Sequence, residues 1–203
     1  AKHPSVSEFP KISLVWKSIP SQLARENKKF IYGALKKGAR ASEFEIAIQW
    51  LTDAGLVYKV PRANSVQLPL KIYEDLAAFK MYLVDTGLLG AMVDVEPSQI
   101  LINNSIFSEY KGGMTEQYLL QQMKSHGIKS VYYHNNDSSR LEIDFLIQHE
   151  GAVLPIEVKA EKNVRANSLS LLLQKNTDLK AIRYSMLPYI EQGQLTNIPL
   201  YAC

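Results

Sequence analysis

The sequence predicts a mixed α/β fold, because helical and strand-like patterns occur in both halves of the chain. In the first half, apolar residues at helical spacing are followed by two short strand-like runs. In the second half, the patterns follow the order α-β-β-β-α-β. The 203 residues are enough for one large domain or two small ones. We predict two domains, over residues 1–95 and 96–203.

The N-terminal half is predicted to begin with two helices. The first covers residues 11–26 and is broken near Pro20. The second begins at Ser42, which forms an S-x-x-E capping box with Glu45. It ends before Gly55, a residue type that favours the turn after a helix. The capping box and the glycine together delimit the second helix.

Two strands and a short helix are predicted to follow. The runs LVYKV and VQLPLKIYE are separated by PRANS, which indicates a strand, a turn and a strand. The run AAFKMYLVDTGLLGAM starts with the pattern of a strand and ends with that of a short helix. A helix followed by a hairpin is the outline of a winged-helix domain. Residues 1–95 are therefore predicted to form a winged-helix-like domain.

The C-terminal half is predicted to form a sheet flanked by helices. Its first helix covers residues 105–126 and stops at Gly127. The segment over residues 94–104 is the predicted joint between the two halves. The remaining predicted elements are strands at 130–134, 141–148, 152–160, 180–185 and 199–202, and a helix at 168–175.

Composition and charge exclude several classes of protein. No apolar run approaches the length of a membrane span, so we expect no membrane association. Cys203 is the single cysteine, which fits a reducing, cytoplasmic compartment. Residues 1–95 hold 13 Lys/Arg and 9 Asp/Glu, and residues 96–203 hold 10 and 11. Neither half is basic enough to indicate a nucleic-acid partner by charge alone.

Charged residues interrupt two apolar runs in the second half. Asp144 lies in LEIDFLI, and Glu157 and Lys159 lie in LPIEVKA. If Glu150-Gly151 forms the centre of a tight hairpin turn, Asp144 and Glu157 face each other across the two strands. Lys159 then shares their face. Charges in such runs are costly unless a ligand requires them.

Metal and phosphate chemistry would require such a cluster. Carboxylate oxygens are the ligands that Mg²⁺ prefers, and a metal polarises a phosphodiester and activates water. Lys159 could orient that water, and Glu142 shares the acidic face as a supporting group. Glu116, early in the predicted helix over 105–126, could add an acidic ligand or base. The opposite face carries apolar residues and is the predicted core face.

These residues resemble a known superfamily. Glu116, Asp144 and Glu157-Val158-Lys159 are similar to the E…D…(D/E)xK signature of the PD-(D/E)XK nuclease-like (restriction-endonuclease-like) superfamily, whose fold is a mixed sheet flanked by helices. The runs GGMTEQYLLQQM, LEIDFLI, LPIEVKA and IPLYA further resemble the C-terminal domain of unknown function of prokaryotic AAA+ ATP-binding proteins. The runs AIQWLTDAGLVYKV and LPLKIYEDLAAFKMYLVDTGLL are similar to the segment before that domain.

The resemblance implies a set of roles and partners. It implies that an AAA+ ATPase module lies upstream in the same polypeptide and that DNA is a partner. It is also compatible with an oligomeric protein. It implies Mg²⁺ or Mn²⁺ held by Asp144, Glu157 and the Val158 carbonyl, with Lys159 orienting water and Glu116 assisting. No G-x-x-x-x-G-K-[ST] motif occurs in these residues, so we expect no ATP site in this part of the protein.

Other interpretations of the same residues stay open. The charged face could be a solvated sheet surface with cross-strand ion pairs, or a degenerate site in a catalytically silent module that binds nucleic acid or protein. Glu116 could serve only as an acid near a helix N-terminus. The basic run from Lys28 to Arg40 could contact phosphates or form a solvated surface. A DNA-reading winged helix is disfavoured, because the candidate recognition helix presents acidic residues.

Overall fold

A computed structural model describes residues 4–94, 108–136, 141–160 and 167–203. The described residues form the mixed α/β fold that the sequence predicts. Their helices are α1 (Phe9–Leu23), α2 (Ala41–Asp53), α3 (Thr86–Met92), α4 (Ser108–Ser125) and α5 (Asn167–Lys175). None of the helices in these ranges is long and apolar enough to cross a membrane.

The strands belong to one eight-stranded sheet of order β2-β1-β3-β4-β5-β6-β8-β7 within the described residues. Neighbours β1/β3, β5/β6 and β6/β8 are parallel, whereas β3/β4, β4/β5 and β7/β8 are antiparallel. The strands are β1 (Val57–Ala63), β2 (Glu74–Leu83), β3 (Tyr132–Asn135), β4 (Glu142–His149), β5 (Ala152–Val158), β6 (Ala181–Ser185), β7 (Ile190–Gln192) and β8 (Leu195–Pro199).

The chain divides into two compact units, each made of two chain segments. Unit 1 consists of Ala1–Lys59 and Lys80–Gln117, and unit 2 of Val60–Phe79 and Tyr118–Cys203. This division by contacts differs from the predicted domain boundary between residues 95 and 96. That boundary and most of the predicted joint lie outside the described residues, and the boundary stays a prediction.

Two packed helices, α1 and α2, form much of unit 1. Their apolar residues recur every three or four positions and are buried, as the pattern predicts. Pro20 lies inside α1, so the predicted break at this residue is wrong. Helix α2 begins at Ala41 without a side-chain cap, so the predicted capping box does not form. Gly55 follows α2 with φ +70°, as predicted.

The predicted hairpin of the N-terminal half is only partly correct. Strand β1 begins where the run LVYKV predicts it but continues through residues 61–63, which the sequence predicts as part of the turn. Leu70–Tyr73 form a 3₁₀ turn, and β2 begins only at Glu74. Pro69 explains the difference, because proline cannot donate to a ladder and interrupts the strand pattern of VQLPLKIYE. Strand β2 followed by α3 agrees with the prediction, and Asp85 caps α3 by accepting the N–H of Leu88 at 2.9 Å.

The core of unit 2 lies between the sheet and α5. Leu169, Leu172 and Leu173 of α5 are buried against the apolar residues of β4 and β6. Both faces of β4 are buried over 143–147, so the charged face is more covered than the sequence predicts. The last predicted strand, over 199–202, is wrong: β8 ends at Pro199 and a 3₁₀ turn follows, because a segment earlier in the chain takes that place in the sheet.

Candidate functional site

The hairpin of β4 and β5 carries the acidic pair, and its predicted register is confirmed. Glu150 and Gly151 have φ values of 49° and 77°, which fit a type I′ turn. The paired residues run from His149↔Ala152 to Phe145↔Ile156. Extending this register by one step places Asp144 opposite Glu157.

At the end of this ladder, the side chain of Asp144 accepts a backbone N–H of β5 in place of a backbone carbonyl. Its Oδ2 accepts the N–H of Val158 at 2.8 Å, beyond the last backbone pair of β4 and β5. Asp144 is 9% exposed and Glu157 is 4% exposed, so both carboxylates are buried. The structure thus brings an aspartate to the end of β5, immediately beside Glu157.

Glu157 forms an ion pair with Lys159. The Lys159 Nζ lies 2.5 Å from Glu157 Oε1, and the lysine side chain is 30% exposed. Lys159 follows the last residue of β5, and its N–H donates to the carbonyl of Tyr184 at 2.8 Å. The backbone of Lys159 is therefore fixed by the sheet, whereas its ammonium group reaches both Glu157 and solvent.

A buried arginine, absent from the predicted site residues, lies on the other side of Glu157. Arg183 of β6 is the register partner of Glu157, and Asn197 of β8 is the register partner of Arg183. Arg183 Nε donates to Asn197 Oδ1 at 3.0 Å. Burial lowers the pKa of Arg183, and the charge of Glu157 opposes that effect. Asp144, Glu157, Arg183 and Asn197 thus form one row across four neighbouring strands, which we call the polar row.

Asn197 anchors the far end of the polar row. It is fully buried, and its Oδ1 also accepts the hydroxyl of Ser185 at 2.7 Å. Its Nδ2 donates to the carbonyls of Leu187 at 3.2 Å and Pro188 at 2.8 Å. A signal for Arg183 exists in the sequence, since AIRYS places a charge in an apolar strand just as LEIDFLI does.

Glu116, the other predicted site residue, belongs to unit 1, whereas Asp144, Glu157, Val158 and Lys159 belong to unit 2. Its carboxylate lies 2.8 Å from Lys28 Nζ and 3.7 Å from Lys80 Nζ, and it accepts the hydroxyl of Tyr82 at 2.7 Å. These partners are all in unit 1.

The cluster around Glu116 is largely closed to solvent. Glu116 is 4% exposed, and Lys80 is fully buried. Burial raises the pKa of Glu116, but Lys80, Lys28 and the hydroxyl of Tyr82 outweigh that effect and lower it to about 2. Helix α4 approaches α1 closely at Gly113, where a Cβ atom would lie 2.9 Å from the Leu23 carbonyl oxygen. The carboxylate is therefore ionised, held by hydrogen bonds from Lys28 and Tyr82 and by the nearby charge of Lys80.

Glu142, predicted as a supporting group, is half-buried at the start of β4, where its N–H donates to the hydroxyl of Ser168 at 3.2 Å. On α5, Leu172 and Leu173 face the core, while the polar Gln174 is exposed. The polar row therefore depends on the strands, and α5 contributes apolar packing.

The donor set fits a hard divalent cation with few protein ligands. No group of three or more His, Cys, Asp and Glu residues able to hold a metal occurs in the described parts of the chain. Mg²⁺ commonly uses one or two carboxylates and completes its shell with water. Asp144 and Glu157 on adjacent strands satisfy that requirement, whereas a Zn²⁺ or Ca²⁺ site would need more ligands.

Comparisons with known proteins agree with the coarser part of the resemblance. Residues 111–200 match a domain of unknown function (DUF4143). Residues 1–99 match a second domain of unknown function (DUF8612). Residues 111–200 are thus similar to a domain of unknown function, as the resemblance predicts, and the nuclease-like classification stays a prediction.

Comparisons with characterised and solved proteins give only a weak likeness. No curated protein matches the chain. Among solved structures, the chain is similar to protein VC1899 from Vibrio cholerae, with 12% identity and a TM-score of 0.30. The alignment covers 97% of this chain and 48% of that chain. The chain thus spans about half the length of the solved protein.

Proposed function

We propose that the DUF4143 region, residues 111–200, is a metal-dependent phosphodiesterase acting on DNA. We further propose that it forms the C-terminal part of an AAA+ family ATP-binding protein. The observation that carries the enzymatic proposal is the buried pair Asp144 and Glu157, side by side on β4 and β5, with Lys159 ion-paired to Glu157.

Asp144, Glu157 and Val158 would hold Mg²⁺ or Mn²⁺. The N–H of Val158 points at Asp144. Because the N–H and C=O of one strand residue point to the same side of a strand, the Val158 carbonyl is directed toward Asp144 as well. Two carboxylates and one carbonyl are the oxygen ligands that this class of cation prefers. When bound, the metal would polarise the phosphate and lower the pKa of a coordinated water.

Lys159 would change partners during the reaction. Its ammonium group pairs with Glu157 and is the more exposed member of the pair. A cation at Glu157 would compete for the carboxylate and release the ammonium group. Lys159 could then orient the attacking water and stabilise the negative charge that develops on the phosphate. A role for Glu116 in this chemistry remains a prediction.

Arg183 would keep Glu157 in place during this exchange. Its Nε is fixed by Asn197, and it is the register partner of Glu157. It is 7% exposed, so it is less able than Lys159 to reach a substrate. One of the two cations beside Glu157 is thus fixed and the other is exchangeable.

The enzymatic proposal is tested by nicking of supercoiled plasmid and of single-stranded DNA in the presence of Mn²⁺. We expect the wild-type chain to cut and Lys159→Ala to lose about 100-fold or more of the rate, because a charge-stabilising group is removed. Lys175→Ala, which removes an exposed lysine of the same unit, is the matched control and should leave the rate unchanged. Activity that is absent in the wild type, or equal in the two variants, contradicts the proposal.

A second candidate function is a catalytically silent interaction module coupled to the ATPase. One observation favours it: the negative charges of Asp144 and Glu157 are balanced by the positive charges of Lys159 and Arg183. The acidic pair therefore needs no metal ion to compensate its charge. Calorimetric titration with Mn²⁺ separates the two functions. Binding that Asp144→Asn abolishes supports the metal site, and no binding by the wild type supports the silent module.

A further inference from the structure

The segment between α1 and α2, residues 24–40, is rich in positive charge. It carries six Lys/Arg residues and one acidic residue, Glu26. We name it the basic loop, and its cations are Arg25, Lys28, Lys29, Lys36, Lys37 and Arg40. The whole chain has a net charge of only +3, so this segment concentrates charge that the rest of the sequence balances.

One of these cations has an internal role, and the other five do not. Lys28 forms the ion pair with Glu116 at 2.8 Å, and its side chain is 13% exposed. The other five form no ion pair within the described residues, and four of them are exposed: Arg25, Lys36, Lys37 and Arg40. Other cations of the chain do form ion pairs with acidic side chains, as Lys11, Arg62 and Lys71 do. The basic loop therefore presents uncompensated charge to solvent.

The backbone of the basic loop is held in place. Gln22 is buried, and its Oε1 accepts the N–H of Ile31 at 2.6 Å. Phe30 is buried and lies edge-on to Tyr32 with ring centroids 5.2 Å apart. Residue Lys29 forms a β-bridge with Lys80. These contacts hold the backbone over residues 29–32, so a partner of the basic loop would lose little entropy in ordering this part of it.

The neighbouring helix excludes one mode of recognition. The exposed positions of α2 include Glu43, Glu45, Gln49 and Asp53, as the sequence predicts. A helix with three exposed acids is unsuited to a major groove lined by phosphates. A partner of the basic loop would thus be recognised through its backbone charge and not through base edges.

We propose that the basic loop binds the phosphate backbone of double-stranded DNA without sequence preference. Five cations without an acidic partner in the described residues, four of them exposed, suit a polyanion such as the phosphate backbone. This binding surface belongs to unit 1 and does not depend on the catalytic proposal, which concerns unit 2. Lys28 is excluded from it because Glu116 holds that side chain.

The test measures fluorescence anisotropy of a labelled duplex at several salt concentrations, with EDTA present so that no metal contributes. We expect wild-type binding whose affinity falls steeply with salt and is equal for unrelated sequences. The variant carrying Lys29→Gln, Lys36→Gln, Lys37→Gln and Arg40→Gln should lose more than about tenfold in affinity. Its slope of log K against log salt should flatten by about 3 to 4, because each lost phosphate contact contributes about 0.9.

A matched variant controls for net charge. Lys17→Gln, Lys129→Gln, Lys175→Gln and Lys180→Gln remove four exposed lysines elsewhere in the chain. We expect this variant to bind the duplex as the wild type does. Equal loss in both variants would show a general charge effect and overturn the proposal, as would no duplex binding by the wild type.

Two further measurements distinguish DNA binding by the basic loop from catalysis at the proposed metal site and from binding to a membrane. Nicking in the presence of Mn²⁺ and duplex binding in EDTA are separate measurements, so failure of the catalytic proposal and failure of this one give different results. Vesicles containing phosphatidylserine test an anionic membrane as the partner. Binding to vesicles but not to the duplex would overturn the proposal in favour of a membrane surface.

Discussion

Two buried carboxylates of this chain, Glu116 and Glu157, have similar partners and different surroundings. Each is 4% exposed and each is flanked by two cations. Glu116 is held by Lys28, the fully buried Lys80 and the hydroxyl of Tyr82. Glu157 pairs with Lys159, whose side chain is 30% exposed, at the end of a strand.

The difference is whether a partner can leave. Around Glu116 the donors are largely enclosed, and removing one would strand a buried charge. Around Glu157, the paired Lys159 side chain is 30% exposed, while the buried Arg183 donates to Asn197. Burial of a carboxylate between cations therefore occurs in two different settings. A partly exposed cation is the feature that separates the two, and it is the feature on which the proposed exchange of Lys159 depends.

The largest expected effect is on stability at Glu116. Glu116→Gln removes the charge that compensates Lys80 and Lys28, so we expect a loss of about 3–5 kcal/mol in the free energy of unfolding. Urea unfolding of the variant measures it. Glu43→Gln, an exposed acid of the same unit, is the control and should change stability by less than about 0.5 kcal/mol. If Glu116→Gln lost no more unfolding free energy than Glu43→Gln, the distinction between Glu116 and Glu157 would fail.

The pH dependence of stability also tests whether the ionised form of Glu116 stabilises the fold. The pKa of Glu116 is lowered from 4.5 to about 2 in the folded chain. Its contribution is therefore fully present above pH 4.5 and is lost as the pH falls toward 2. The difference in unfolding free energy between wild type and Glu116→Gln should shrink by about 3 kcal/mol over this window. A difference that stays constant from pH 5 to pH 2 would contradict the assignment.

A smaller effect is expected at Asp144. Asp144→Ala removes the acceptor of the Val158 N–H, so we expect a loss of about 1–3 kcal/mol in unfolding free energy. Asp144→Asn keeps an oxygen acceptor of similar shape and should lose less. If Asp144 holds the proposed metal, both variants should also lose the Mn²⁺ binding that calorimetry measures. Stability that is equal in the two variants would show that the hydrogen bond to Val158 contributes little.

The smallest effect on stability is expected at Lys159. Lys159→Met should change the unfolding free energy by less than about 1 kcal/mol, because the ammonium group is partly solvated and Arg183 remains beside Glu157. Thermal and urea unfolding provide the measurement. A loss as large as that of Glu116→Gln would mean that Lys159 is as structural as Lys80, and the distinction between the two carboxylates would fail.

Local patterns predict much of unit 2. The Glu150-Gly151 turn determines the register of β4 and β5, because a two-residue hairpin turn leaves one pairing in which the apolar residues face inward. The positions of Asp144 and Glu157 follow from that register alone. The last strand lies earlier in the chain than its pattern predicts, and β7, with three residues, is too short to show a pattern.

Other features depend on contacts between distant residues and could not be predicted locally. The pairing of Arg183 with Glu157 requires the parallel alignment of β5 and β6, which no turn determines. The partners of Glu116, Lys28 and Lys80, are 88 and 36 positions away, and neither position shows a pattern that relates it to α4. The capping box does not form because α2 begins at Ala41 with Arg40 at its N-cap, so Ser42 lies inside the helix.

The segmented make-up of the two units has a consequence for synthesis. Unit 1 needs residues 80–117 to be complete, and unit 2 needs residues 60–79, which are made before the rest of it. During translation, segments of unit 1 and unit 2 therefore emerge from the ribosome alternately. The first helix pair of unit 1 must wait for α4, and with it Glu116, before Lys28 and Lys80 are neutralised. Unit 1 can therefore be complete only after residue 117 has emerged, and residues 60–79 of unit 2 emerge before that point and wait for the rest of their unit.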